Sequence, residues 1–260
     1  MMRKIAFLNE KGGSCKTTLA VNIGAYLALE ENLRILLVDM DPQGQVGKSL
    51  GVNVRDAEVT VYDLLARHDL RPADVIIPSR IKGLDLIIAN KSLIDFPLVV
   101  ARDSDRESRL RQKFEKLRGY DYVIFDSPPS LGPITINIMM AATEIIIPVS
   151  LTYFALDGCA EVLETVGLVK ENFGNRSLRV SMVVPTLYRN TRLAQEILDK
   201  LKQRFGNTMA STVIRYNVKI DEAQSNGLTI WEYAPRSTGA MMFRELAREV
   251  LTHAQKGSRH

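Results

Sequence analysis

The run Ile5-Ala6-Phe7-Leu8-Asn9 breaks into Glu10-Lys11-Gly12-Gly13-Ser14-Cys15-Lys16-Thr17-Thr18 before Leu19, and this stretch decides the fold. Its apolar part reads as a buried strand and a helical pattern opens at Lys16, so the segment between them is a strand-to-helix loop. Adjacent glycines let successive backbone N–H groups converge on one point, and the helix N-terminus adds its positive dipole end there. A polyphosphate is the natural occupant. Lys16 then lies along the β and γ phosphates, the Thr17 hydroxyl is placed to coordinate a bridging Mg2+, and Lys11, Gly12, Gly13, Ser14, Cys15 and Thr18 complete the cradle.

The strict phosphate-loop pattern G-x-x-x-x-G-K-[ST] fails twice, because Glu10 and Cys15 stand at its two glycines. What matches is K-G-G-x-x-K-T-T, with a second lysine, Lys11, five residues before Lys16. This resembles the ParA/MinD superfamily of deviant Walker A P-loop ATPases, and within it the small, Soj-like ParA partition ATPases. The resemblance implies ATP and Mg2+ as cofactors and gives Lys11 a role across a nucleotide-sandwich homodimer, reaching the partner's phosphates.

Downstream, Arg34 to Asp39 (RILLVD) is a continuous apolar run ending in a carboxylate, the mark of a central parallel strand. Ligands of open α/β sheets sit beyond the carboxyl ends of the strands, which puts Asp39 and Asp41 of Asp39-Met40-Asp41-Pro42-Gln43-Gly44 near the loop. In the family D-x-D-P-Q-G is the first switch region. Asp41 then helps place the attacking water, and Asp39 stands close to the magnesium shell. Tyr122 to Phe125 runs into Asp126-Ser127-Pro128-Pro129, which has the Walker B form: Asp126 reaches the magnesium through a water and the prolines stiffen the second switch. Lys11, Lys16 and Asp41 are the expected catalytic residues; Thr17, Asp39 and Asp126 are the expected metal site.

The remaining pattern predicts a single α/β domain over residues 1–260, three-layered, with a mostly parallel sheet between helices. Leu84 to Ala89, Glu144 to Val149 and Val180 to Pro185 read as strands. Val61 to Arg67, a segment from Tyr153 through Phe173, Thr191 to Phe205 and Ser237 to about Ala254 read as helices, and Val99 to Leu117 as one long charged helix with i, i+4 pairs such as Glu107 and Arg111. No apolar run approaches the roughly 18 residues of a membrane span. Cys15 and Cys159 form neither a zinc motif nor a disulfide framework, so a cytoplasmic, reducing location is expected.

The net charge of +4 is unevenly spread: residues 181–260 hold 12 Lys and Arg against 7 Asp and Glu, leaving 22 against 23 upstream. A basic C-terminal region suits nucleic acid. The resemblance continues through Asn217-Val218-Lys219 and Tyr233-Ala234-Pro235-Arg236-Ser237, and the family places its DNA contacts in these segments. Arg189, Arg192, Lys219 and Arg244 are the expected contacts, with Lys200, Lys202 and Arg204 as further helix-face positions. Four departures stand out: Cys15 for a glycine, Arg215-Tyr216 for Pro-Arg, Gln224 for a proline, and the lack of the aspartate that relatives carry between the positions of Tyr188 and Arg189.

The expected function is a slow ATPase that dimerises on ATP, binds DNA without sequence preference on the nucleoid, and lets go when a ParB-like or other adaptor stimulates hydrolysis. Its cargo would be a plasmid, a chromosome or a protein assembly. Two alternatives are a MinD-like, membrane-associated positioning ATPase and a nucleotide-gated scaffold with little hydrolysis. Against the membrane reading, Phe243, Leu246, Ala247, Val250 and Leu251 form a core-packing stripe, and Gln255 to His260 offer no apolar residue to insert. Cys15 beside Lys16 at a helix N-terminus is expected to have a lowered thiol pKa.

Overall fold

The computed structural model describes residues 2–257. Seven strands form one sheet in the order β3-β4-β2-β5-β1-β6-β7: β1 Arg3–Phe7, β2 Ile35–Asp39, β3 Ile77–Pro78, β4 Leu84–Ile87, β5 Tyr122–Asp126, β6 Glu144–Ser150 and β7 Arg179–Thr186. Every pairing is parallel except β3 with β4. The inner strands β2, β5 and β6 are buried along their whole length. That burial on both faces explains why they read as unbroken apolar runs instead of alternating ones.

Two hydrophobic clusters fill the two faces of the sheet. On one lies α1 (Lys16–Leu29), buried nearly all round, with α2 (Gln45–Ser49), α9 (Val218–Ser225), α10 (Ile230–Tyr233) and α11 (Thr238–Gly257) packed beside it. Trp231 donates its indole N–H to Asn22 O at 2.8 Å and its ring lies 5.3 Å from that of Tyr26, which fastens α10 to α1. The other face carries α3 (Val61–Ala66), α4 (Phe96–Val99), α5 (Arg109–Glu115), α6 (Pro133–Ala141), α7 (Ala155–Asn172) and α8 (Arg192–Phe205). The stripe Phe243, Leu246, Ala247 and Val250 of α11 is buried in the core, as its spacing predicts. Residues 258–260 of the tail lie outside the described residues. Among the described residues no helix is long and apolar enough to cross a membrane.

The expected long helix from Val99 to Leu117 is corrected. The chain leaves α4 at Val99, turns through 100–108, and only then forms α5. The cause is a non-local contact: Arg109 is buried to 1% exposure against Leu65 O and His68, and Asp103 and Asp105, close in sequence, fold back onto it at 2.6 and 2.9 Å. A buried guanidinium left unpaired costs several kcal/mol, so the turn that supplies two carboxylates wins over continued helix. Arg106 in turn pairs with its neighbour Glu107.

Candidate nucleotide site

Parallel pairing sets Asp39 of β2 level with Asp126 of β5, and Asp126 level with Phe7 of β1. The three strands therefore end together, and the loop after β1 stands over both carboxylates. Gly13 (φ 71°) and Cys15 (φ 70°) both adopt the left-handed conformation. A Cβ at Gly13 would meet no atom within 4 Å, so the position is open, yet L side chains rarely adopt that backbone. Cys15 bears the same geometry with a side chain, at a cost on the order of 1 kcal/mol.

Lys16 is 7% exposed and its Nζ donates to Lys11 O at 3.2 Å, so its ammonium already lies across the loop. Burial lowers its pKa, while Asp126 and Asp41 oppose that shift. Lys11 behaves differently. Its backbone N–H donates to Asn9 Oδ1 at 3.0 Å, but its Nζ turns outward to Thr152 Oγ1 at 2.6 Å. Asn9, which the motif reading passed over, is buried and fixes the loop by donating to Pro148 O at 2.7 Å. Gly158 of α7 lets Asn9 stay there, since a Cβ at 158 would come within 3.1 Å of Asn9 Oδ1.

Thr17 donates its hydroxyl to Asp126 Oδ2 at 2.6 Å, joining two of the three expected metal residues directly. The other oxygen, Asp126 Oδ1, is buried without a hydrogen-bond partner among the described residues. Burial, opposed by Thr17 and Lys16, pushes this carboxyl up to about 7. A buried carboxylate oxygen with no donor is the kind of group a hard cation or its water would satisfy, so these residues fit Mg2+. Asp39 sits differently: Oδ1 accepts from Asp41 N–H and Oδ2 from Val46 N–H, each at 3.0 Å. Burial and the neighbouring Asp126 raise its pKa well above the usual range. It holds the turn over residues 41–46 from beneath.

Asp41 is half-buried on the rim of a cavity of about 200 Å3 that is also lined by Lys16, Thr17, Gln45, Pro129 and Gln224. Its Oδ1 accepts from Gln43 N–H at 2.9 Å. Gly44 then turns with φ 63°, where a Cβ would stand 2.7 Å from Ala89 O. Gly44→Ala is expected to lower stability by roughly 1–3 kcal/mol and loosen this switch, and a denaturant melt checks it. An unchanged midpoint would show that the turn relaxes freely. Gln224, a departure from the family, reaches the same cavity and lies within 3.4 Å of the Thr18 hydroxyl.

The expected activated thiol is overturned. Burial pushes Cys15 up to about 11, against the smaller lowering effects of Thr186 and Lys16. Alkylation at Cys15, followed by peptide mass spectrometry, should accelerate about tenfold per pH unit from 7.5 to 9.5, because only the thiolate reacts. A plateau by pH 9 would mean an ordinary exposed thiol.

Of the four expected DNA residues, the structure sets Arg189 against the segment that leads into the helix of Lys219. Tyr188 and Arg215 bridge β7's exit to the segment before α9, so Arg189 stacks over Tyr216 at 4.7 Å while Arg215 stacks over Tyr188 at 5.2 Å. Arg192 opens α8 three residues after Arg189, paired with Glu196 at 2.9 Å. Lys219 opens α9 and is held by Glu222 at 2.8 Å. Arg244 stands apart on α11, over the Trp231 ring at 5.9 Å. Arg215 and the two tyrosines, which stack beside Arg189, were not among the expected contacts; the reversed dipeptides Tyr188-Arg189 and Arg215-Tyr216 were the available signal.

A phosphate loop between β1 and α1, a Walker B carboxylate on the adjacent strand and a switch turn on the next define a P-loop nucleotide-binding protein. Residues 2–180 match the family model described as an AAA domain. The chain is 39% identical to the sporulation initiation inhibitor protein Soj of Bacillus subtilis over 96% of this chain and 98% of that one. It is 40% identical to the chromosome-partitioning ATPase Soj of Thermus thermophilus, over 98% of each. Among solved structures, cobyrinic acid a,c-diamide synthase from Mycobacterium smegmatis with bound ADP and magnesium aligns at TM-score 0.85 and 32% identity, covering 99% of this chain and 97% of that one. The chain belongs to the Soj/ParA family of P-loop ATPases.

Proposed function

We propose that the protein is an ATP-driven switch of the partition type: ATP with Mg2+ closes two copies face to face, the dimer holds DNA without sequence preference, and a partner protein stimulates hydrolysis and release. The observation that carries this reading is the opposite placement of the two loop lysines. Lys16 is folded over its own cradle, whereas Lys11 Nζ leaves it for Thr152 at the rim. An ammonium aimed out of its own loop is available to phosphates held by a second copy.

In the proposed mechanism the loop N–H groups and Lys16 bind and orient the phosphates, and Thr17 with Asp126 holds the cation. Magnesium there supplies neutralisation of charge on the transferring phosphoryl group. Asp41, on the cavity rim, positions the water. Among the described residues no strong base lines the cavity, so slow intrinsic turnover is expected. Asp41→Ala is expected to cut phosphate release by about tenfold or more while nucleotide binding persists, trapping the closed dimer. Release at the wild-type rate would remove Asp41 from the mechanism.

The surface around Arg189, Arg192, Arg215 and Lys219 is the proposed DNA face, with Arg244 on α11 as a further contact, placed in the cytoplasm on the nucleoid. In this reading α9 couples the two sites, because it carries Lys219 at its start and Gln224 at the nucleotide cavity near its end. A MinD-like membrane role finds less support, since the apolar stripe of α11 is consumed by packing.

A further inference from the structure

At the opposite end of the sheet from the phosphate loop, a cavity of about 520 Å3 opens between the segment after α3 and the end of α5. Five cationic side chains line it, Arg71, Arg109, Lys113, Lys116 and Arg118, and no Asp or Glu does. We propose that this cavity binds a phosphorylated small molecule, independently of the phosphate loop.

The cavity is built, not a chance meeting of surface lysines. Arg109 is 1% exposed, and its guanidinium is fixed from behind by Asp103 and Asp105, from one side by Leu65 O at 3.3 Å, and by His68 Nε2 at 3.3 Å. A guanidinium can only donate, so in this contact His68 Nε2 is the acceptor. Arg109 Nε remains buried with no partner among the described residues. Lys113 spends its ammonium on three carbonyls, Arg67 O, His68 O and Leu70 O, at 2.6 to 3.1 Å, which ties the end of α3 to α5 and gives the cavity a stiff wall.

Two cations remain for a ligand. Among the described residues neither Lys116 nor Arg118 forms an ion pair; the Arg118 guanidinium touches only the carbonyls of Glu115 and Leu117. Arg71 pairs with Asp74 at 3.2 Å but is largely exposed, and an exposed pair of this kind is worth little and easily exchanged. Guanidinium forks match phosphate oxygens bidentately. Leu70, Pro72 and Leu117 supply an apolar side, and the volume falls within the range of small-molecule sites, roughly 300–1,000 Å3. The recessed position of Arg109 favours a compact ligand over duplex DNA, whose phosphates are met by exposed side chains.

The test is a calorimetric titration with inorganic pyrophosphate of the full chain, of Lys16→Ala, and of the double variant Lys116→Glu/Arg118→Glu. Because Arg109 is structural, exposed residues are reversed in its place. Two binding events are expected in the wild type. Lys16→Ala should lose only the phosphate-loop event, and the double variant should weaken only the other, by about tenfold or more, while hydrolysing ATP normally. Loss of all binding in Lys16→Ala, two unchanged events in the double variant, or equally strong binding of citrate at the cavity would overturn the proposal. A missing loop event alone would count against the nucleotide reading and leave the cavity standing.

Discussion

Lys11→Ala is expected to abolish nucleotide-driven dimerisation while leaving nucleotide binding in place. With a non-hydrolysable ATP analogue and magnesium, light scattering should show the wild type at about twice 29.1 kDa and the variant at 29.1 kDa. The expectation follows from where the two ammonium groups sit. Lys16 bridges its own loop, so its removal should damage binding itself; Lys11 Nζ lies 2.6 Å from Thr152 and contributes nothing to its own cradle. Removing one partner of a buried interfacial charge pair costs roughly 2–5 kcal/mol, so the dimer dissociation constant should rise about 30-fold or more. Equal masses for variant and wild type would end the cross-subunit role of Lys11. Weakened nucleotide binding in the variant would place Lys11 in its own loop instead.

The second large effect is the salt dependence of DNA binding. If the closed dimer neutralises about six phosphates, the log–log slope should be near −5, and affinity should fall by roughly a thousandfold between 50 and 200 mM salt. A single copy, with half the contacts, should show about half that slope and far weaker binding, so ATP and ADP states should separate widely. Lys219→Glu should weaken binding alike for unrelated sequences. It also replaces an ion pair with Glu222 by two facing carboxylates, so the α9 start carries repulsion as well as a lost cation. ATP-driven dimerisation should survive, because Lys219 lies outside the loop and both switches. Polarisation titrations in both nucleotide states check this, and identical binding with ATP and ADP, or preference for one sequence, would defeat the ATP-gated, non-specific reading.

Much of the nucleotide site was legible because its residues are set by local rules. Strands that run apolar into a carboxylate place Asp39 and Asp126 at the sheet's carboxyl edge whatever surrounds them, and a glycine loop before a helix makes an anion cradle from backbone alone. The two residues differ only in what reaches them: Asp39 is occupied by the N–H groups of Asp41 and Val46, whereas Asp126 keeps one oxygen without a donor. No spacing reveals that difference. The thiol of Cys15 was misjudged for a related reason. The helix dipole and Lys16 are local and favour the thiolate, but burial outweighs them, and burial comes from the whole fold.

The segment 99–117 shows the same division most clearly. Its charges at helical spacing satisfy every local rule for one long helix, yet Arg109 is drawn inside against Leu65 and His68, residues some forty positions earlier, and the chain turns to bring Asp103 and Asp105 to it. The sequence by itself determined the strand–loop–helix order, the parallel core strands and the chemistry of the phosphate cradle, since these depend on neighbours along the chain. The tertiary structure alone decided which lysine faces outward, how Arg189 and Arg215 exchange tyrosines, and where five cations enclose a cavity. Those outcomes depend on desolvation and charge pairing between distant segments, which stay undefined until the segments meet.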